Sequence, residues 1–140
     1  MRVADVTMTP PNGTGVFNFL PNYAFVLEDN KVTFQGNSDG NTHSGIYQWE
    51  NSVLTKLVDS SDAIPGGTKG NFTSLRPPFR SGGQIAFIGY GSDGYNGIFI
   101  LENSILTKVV DSDTSFPGGT GGLCFSSDLS FVDGALAFWS

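Results

Sequence analysis

Gly45-Ile46-Tyr47-Gln48-Trp49-Glu50-Asn51-Ser52-Val53-Leu54-Thr55-Lys56-Leu57-Val58-Asp59-Ser60 returns 52 residues later as Gly97-Ile98-Phe99-Ile100-Leu101-Glu102-Asn103-Ser104-Ile105-Leu106-Thr107-Lys108-Val109-Val110-Asp111-Ser112. The alignment runs without a gap to Pro65-Gly66-Gly67-Thr68 and Pro117-Gly118-Gly119-Thr120, with 15 of 24 positions identical. Identity at that level marks a duplication, and a period of this length is that of a stacked supersecondary unit. Within the stretch, two runs rich in β-branched and aromatic residues flank the dipeptide Asn51-Ser52, which reads as a β-hairpin.

Outward from this stretch the unit grows to four strands. Upstream, Tyr23 to Leu27 and Lys31 to Gly36, the latter alternating polar and apolar residues, flank the turn Glu28-Asp29-Asn30, a second hairpin. Its counterparts are Phe79 and Gln84 to Gly89, with Pro77-Pro78 weakening the first strand, and Ala135-Leu136-Ala137-Phe138-Trp139 in a third copy. Arg2-Val3-Ala4-Asp5 matches Lys56-Leu57-Val58-Asp59, so residues 1–10 are expected to be the last strand of a preceding unit. With the strands lettered A to D, the chain reads D, ABCD, ABCD, AB. The expected divisions are 1–10, 11–60, 61–112 and 113–140, the last being the first half of a further unit.

A four-stranded antiparallel meander every 50 residues or so predicts an all-β fold of β-propeller type, a partial propeller of about two to three blades. A parallel β-helix fits less well, because its repeats are shorter and lack hairpin turns. With 140 residues and a 52-residue period, fewer than three units are present, whereas a ring closes with roughly four to eight. The expectation is a section of a longer propeller or, second, a subunit that completes a ring by association. Exposed strand edges near Phe131, Phe138 and Trp139 are the expected points of self-association.

Composition excludes several function classes. Seven Lys and Arg against thirteen Asp and Glu give a net charge of −6, and the basic residues are scattered. Phosphate neutralisation therefore has nothing to work with, and no nucleic-acid partner is expected. No apolar stretch approaches a membrane span. Cys124 is the only cysteine, so no intrachain disulfide or cysteine-built metal site is possible; between Leu123 and Phe125 it is expected to be buried. No cofactor and no metal is expected.

The repeated motifs Gly-Ile-(Tyr/Phe), Leu-Thr-Lys-x-Val-Asp-Ser, Pro-Gly-Gly-Thr and Ile-Ala-Phe-Ile-Gly resemble a repeat of β-propeller-like bacterial proteins, cyanobacterial ones in particular. The resemblance covers nearly the whole chain. It implies a secreted or cell-surface protein, because such chains often carry export signals, and it transfers no catalytic residue.

Each polar motif has a structural reading beside the functional one. The Gly66-Gly67 and Gly118-Gly119 pairs lack the lysine and helix of a phosphate loop and read as turns. Asn37, Asp39 and Asn41 place oxygens at alternate positions, as calcium loops do, but Asp39-Gly40 and Asp93-Gly94 are ordinary turn pairs and no acidic twelfth ligand follows. Asp59 and Asp111 end their strands where a carboxylate can accept from the N–H groups of the next turn. His43, the single histidine, has no second histidine or cysteine beside it and is expected to be solvated in its loop. Phe34, Phe87 and Phe138 recur beside small residues and read as core, as does Trp49. Asn12-Gly13-Thr14 and Asn71-Phe72-Thr73 match the glycosylation pattern without bacterial significance.

An ABCD meander gathers its short turns at one end and its long connections at the other. Loops on a rigid scaffold carry binding, and the long-loop end offers Asp39, His43, Thr68, Tyr90, Asp93 and Tyr95 as candidate ligand-binding residues. These neutral hydrogen-bonding and aromatic groups suit a polar uncharged ligand, a carbohydrate or a protein segment. The expected function is thus a non-catalytic glycan- or protein-binding module. The alternatives are an interaction array without a small ligand, or a propeller-type glycoside hydrolase using a carboxylate pair such as Asp39 and Asp93.

Overall fold

A computed structural model describes residues 2–20, 25–115, 117–119, 121–125 and 129–138. The expectations that fall on Tyr23, Thr120 and Trp139 lie outside those residues.

The chain is all-β and antiparallel. The first sheet contains β1 (Phe17–Phe19), β2 (Phe25–Glu28), β3 (Lys31–Ser38), β4 (His43–Glu50) and β5 (Val53–Asp59). The second contains β6 (Ser74–Leu75), β7 (Phe79–Ser81), β8 (Gln84–Tyr90), β9 (Asn96–Glu102) and β10 (Ile105–Asp111). A hairpin of β11 (Leu129–Val132) and β12 (Ala135–Phe138) forms the third. In both five-stranded sheets the first position is divided: β1 and β2 pair with the two halves of β3, and β6 and β7 with the two halves of β8. Pro77-Pro78 sits between β6 and β7, where no ladder N–H is needed.

Turn chemistry sets the registers. The tips Asp29-Asn30, Asn51-Ser52, Gly82-Gly83, Asn103-Ser104 and Asp133-Gly134 all have positive φ at both positions. This is the signature of type I′ hairpins, whose twist matches the flanking strands. Both β4–β5 and β9–β10 also carry a bulge: the register jumps between Val58 and Lys56 in one sheet and between Val110 and Lys108 in the other. The skipped residues, Leu57 and Val109, are 52 apart, so even the irregularities are repeated.

Period-2 alternation gives every sheet two apolar faces. Ile46 and Val58 of the first sheet meet Phe72, Leu75, Phe87 and Phe99 of the second. Ala86, Ile88 and Ile98 on the second sheet's other face meet Phe125, Leu129 and Phe131. The remaining face of the first sheet holds Phe17, Phe34 and Tyr47, with Val3, Ala4 and Met8 laid against it. Each fully buried aromatic in these layers is worth roughly 1.5–3 kcal/mol of transfer free energy. Repeat symmetry extends to ring geometry. Phe17 meets Tyr47 at 5.1 Å and 85°, and Phe72 meets Phe99 at 5.0 Å and 90°.

Four expectations are corrected. Residues 2–10 form no strand. Extended structure needs a partner for its N–H and C=O groups, and this segment packs its apolar side chains on the first sheet instead. It keeps only the turn of its repeat: Asp5 Oδ1 accepts from Thr7 N–H at 2.7 Å, as Asp59 Oδ1 does from Ser61 N–H and Asp111 Oδ1 from Asp113 N–H. Cys124 is exposed, because the alternation that turns Leu123 and Phe125 inward turns the residue between them outward. Phe138 is 36% exposed, pairing edge-on with Phe125, and among the described residues no third aromatic completes a layer as Tyr47 and Phe99 do. His43 is treated below. Among the described residues, no helix is long and apolar enough to cross a membrane, and no sheet closes on itself.

Candidate functional site

At the long-loop end of the second sheet, three segments converge. The turn after β8 supplies Ser92, Asp93, Gly94 and Tyr95, the turn after β10 supplies Ser112 and Asp113, and the loop between the sheets supplies Thr68 and Lys69. Together they line a polar cleft of about 440 Å³. The loop from Ser60 to Thr73 is held in place by a small bridge, Ala63 to Asn71, and by Ile64 N–H donating to Gly70 C=O at 2.8 Å. Gly66 and Gly67, with φ of 111° and 75°, make the reversal that brings Thr68 over the cleft.

The cleft floor is Tyr95, held by a network around the buried Asp111. Tyr95 Oη donates to Asp111 Oδ2 at 3.0 Å, Lys108 Nζ to the same oxygen at 2.6 Å, and Thr114 Oγ1 to Oδ1 at 2.9 Å. Burial alone would raise the Asp111 pKa, but these donors outweigh it and hold the carboxyl down at about 2. Tyr95 moves the opposite way, its phenol pushed up by burial and by donating to the carboxylate. Above this floor, Lys69 Nζ pairs with Asp113 at 2.6 Å and lies 5.0 Å from the centre of the Tyr95 ring. Asp93 and Thr68 are exposed at the rim, and Tyr95 is 5% exposed.

The matching end of the first sheet is built differently. Its loop is two residues longer, so Asp39 aligns with Asp93 while His43 aligns with Tyr95. Thr14 Oγ1 donates to Asp39 Oδ2 at 3.4 Å and Asn18 Nδ2 to Asn41 Oδ1 at 3.2 Å, bridging the loops across the space that is open in the second sheet. His43 is not solvated: its side chain is 17% exposed, with Nε2 3.4 Å from Asp59 Oδ2 and Nδ1 3.3 Å from Ser60 Oγ. Sequence reasoning missed this because Asp59 is far from His43 along the strands. The 52-residue offset contained the signal, since Tyr95 contacts Asp111 as His43 contacts Asp59.

A serine, a histidine and an aspartate in contact invite a hydrolytic reading, and the geometry argues against it. Ser60 Oγ accepts from Ser44 N–H at 3.3 Å, and Ser112 Oγ accepts from Asn96 N–H at 3.3 Å with no histidine present. The N–H groups of Ser60, Ser61 and Asp62 go to Ser44 C=O, Asp59 Oδ1 and Asp59 C=O. None is left to stabilise an oxyanion beside Ser60. Asp59 is fully buried, and although burial raises its pKa, the Ser61 hydroxyl and N–H and the Lys56 ammonium bring it below the usual range. Ser38 Oγ and Tyr47 Oη stand on the same face around Gly45 as the His43–Asp59 pair, buried and without a hydrogen-bond partner among the described residues.

Of the six residues chosen from sequence, Thr68, Asp93 and Tyr95 thus share one cleft, with Tyr95 as floor rather than platform. Asp39 and His43 belong to the bridged site. Tyr90 stands apart, stacked under Arg76 at 5.5 Å and accepting from its Nε at 3.3 Å. Lys69 and Asp113 were missed. Their signal was departure from the repeat, since Gly15 and Gly121 stand where Lys69 does and Ser61 where Asp113 does. Comparison of the chain with known protein families, characterised proteins and solved structures finds no match.

Proposed function

We propose that this chain is part of a non-catalytic β-propeller of a secreted or cell-surface protein, whose units are the blades, and that it binds a polar, uncharged ligand of carbohydrate type at the second sheet's cleft. The observation that supports this reading most directly is the cleft itself. Its lining combines hydroxyls of Thr68, Ser92 and Ser112 with the carboxylates of Asp93 and Asp113 and the Lys69 ammonium, a donor and acceptor set suited to vicinal hydroxyls. Lys69 and Asp113 neutralise each other, which leaves the Asp93 carboxylate at the rim as an acceptor for ligand hydroxyls.

The reading assigns one site rather than a row of equal ones. Bridging by Thr14–Asp39 and Asn18–Asn41 leaves the first sheet with a different surface, so avidity from repeated identical sites is not expected. Catalysis by a carboxylate pair is disfavoured because Asp113 is tied to Lys69 and Asp39 does not line the cleft with Asp93. The test is a glycan-array screen of the folded chain followed by titration calorimetry on the hits. The expected result is weak, salt-insensitive binding that Asp93→Ala and Lys69→Gly each reduce at least about tenfold, and that Asp39→Ala leaves unchanged. Absence of any hit, or equal loss in Asp39→Ala, would overturn it.

A further inference from the structure

We infer that the open apolar face of the first sheet is a head-to-tail docking surface for the outer face of the β11–β12 hairpin of a second copy of this chain. The inference starts from what covers the same face elsewhere in the molecule. In each unit one residue, opposite the second position of the second hairpin strand, projects onto the sheet before it. In the second sheet this is Arg80, paired with Ile85, and in the hairpin it is Phe131, paired with Leu136.

Each of these two residues meets a matching receptor. Arg80 Nη1 donates to Thr33 Oγ1 at 3.0 Å and Gln48 Oε1 at 2.8 Å, a cross-strand pair on the face of the first sheet that meets the second. The same two places on the second sheet hold Ala86 and Ile100, also a cross-strand pair, and there the projecting residue is the buried Phe131. A polar projection thus meets a polar pair, and an apolar projection an apolar pair. Wrong pairings would bury an unpartnered guanidinium or amide, which is costly.

In the first sheet the projecting residue is Leu27, opposite Val32, and it is 69% exposed beside Phe25 at 60%. The two rim an apolar groove of about 340 Å³ whose walls include Ala4, Leu20, Val32 and Phe34. By the same rule this face requires an apolar receptor. The hairpin's outer face carries the first of the two receptor places: Ala137 stands where Thr33 and Ala86 stand, with the small Ser130 opposite it and Ala135 and Val132, the latter 61% exposed, beside them. The two surfaces are different, so the contact is heterologous and leaves a free head and a free tail on every pair. It is independent of any ligand at the loop end.

The experiment is sedimentation of the purified chain over a concentration series. Wild type is expected to self-associate, and Leu27→Arg and Ala137→Arg are each expected to weaken association at least about tenfold. Circular dichroism confirms that each variant is folded. Mixing the two variants is expected to restore a dimer, because one retains an intact tail and the other an intact head. Ile105→Ser, at a strand residue 68% exposed elsewhere, is expected to change nothing. A wild-type chain that stays monomeric, a mixture that fails to associate, or an equal effect of Ile105→Ser would overturn the assignment.

Discussion

At the scale of single residues, the repeat uses one device three times and varies what surrounds it. Asp5, Asp59 and Asp111 each close the turn after their segment through the residue two positions on. Asp111 has the strongest set of donors, and this fixes a pH dependence. Its folded pKa of about 2 lies below the ordinary aspartate value, so its contribution is complete above about pH 4 and is lost as pH falls from there through 2. The contribution is about 1–2 kcal/mol, kept to that range because Lys108 is 41% exposed to screening water. In urea melts, wild type should lose that amount between pH 4 and 2, whereas Asp111→Asn should start lower at neutral pH and stay flat across that interval. A parallel decline in both chains would show that Asp111 is not the titrating group. The site was legible only in part at this scale. Thr68 and Asp93 were readable as loop residues, but the burial of Tyr95 and His43 depends on aspartates brought over by strand pairing, which local composition does not reveal.

At the scale of elements, turn chemistry and alternation made the four-stranded units readable, while pairing decided the rest. Arg2-Val3-Ala4-Asp5 has the same residue types as a strand of the repeat, yet no strand among the described residues pairs with it, and it becomes packing instead. The division of the first strand followed from Pro77-Pro78 in one unit, and in the other the sequence places Pro21 between β1 and β2, a signal of the same kind that went unread. Glycine explains how an aromatic can lie flat on a strand. An added Cβ at Gly36 would meet the Phe17 ring at 2.9 Å, and one at Gly89 would meet the Phe72 ring at 2.5 Å. Both rings are buried against two other aromatics, Phe17 against Phe34 and Tyr47 and Phe72 against Phe87 and Phe99. Gly89→Ala should therefore destabilise the chain by about 1–3 kcal/mol through overpacking, read as a lowered midpoint in thermal melts. Gly66→Ala, at a turn with nothing within 4 Å, should act through backbone strain alone and leave the near-ultraviolet signal of the aromatic layer intact. If Gly89→Ala melted with wild type, the ring would not be held where the structure places it.

For the whole molecule, stability is arranged in series: sheet on sheet on hairpin, each touching only its neighbours, which makes the interfaces the points where cooperativity is set. The interface between the two large sheets carries a buried charge. The Arg80 side chain is 5% exposed and donates to Glu28, Thr33 and Gln48 across the gap, while Gly82 N–H donates to Glu28 Oε1 beside it. Arg80→Leu would leave Thr33, which is fully buried, and Gln48 without their donor, at a cost of about 2–4 kcal/mol. None of that cost falls within either sheet, because the ladders and the aromatic triads are untouched. Urea unfolding of the variant should consequently separate into two transitions, with hydrogen exchange quickening at the facing strands of both sheets before either sheet opens globally. The same reasoning supplies the rescue. Arg80→Phe combined with Thr33→Ala and Gln48→Ile copies the apolar pairing by which Phe131 sits on Ala86 and Ile100, and it should return the chain to a single transition. Rescue would mean that what couples neighbouring units is complementarity between projection and receptor, apolar or polar alike. A single unchanged transition in Arg80→Leu would mean instead that Ile46, Val58 and the Phe72 triad couple the sheets unaided.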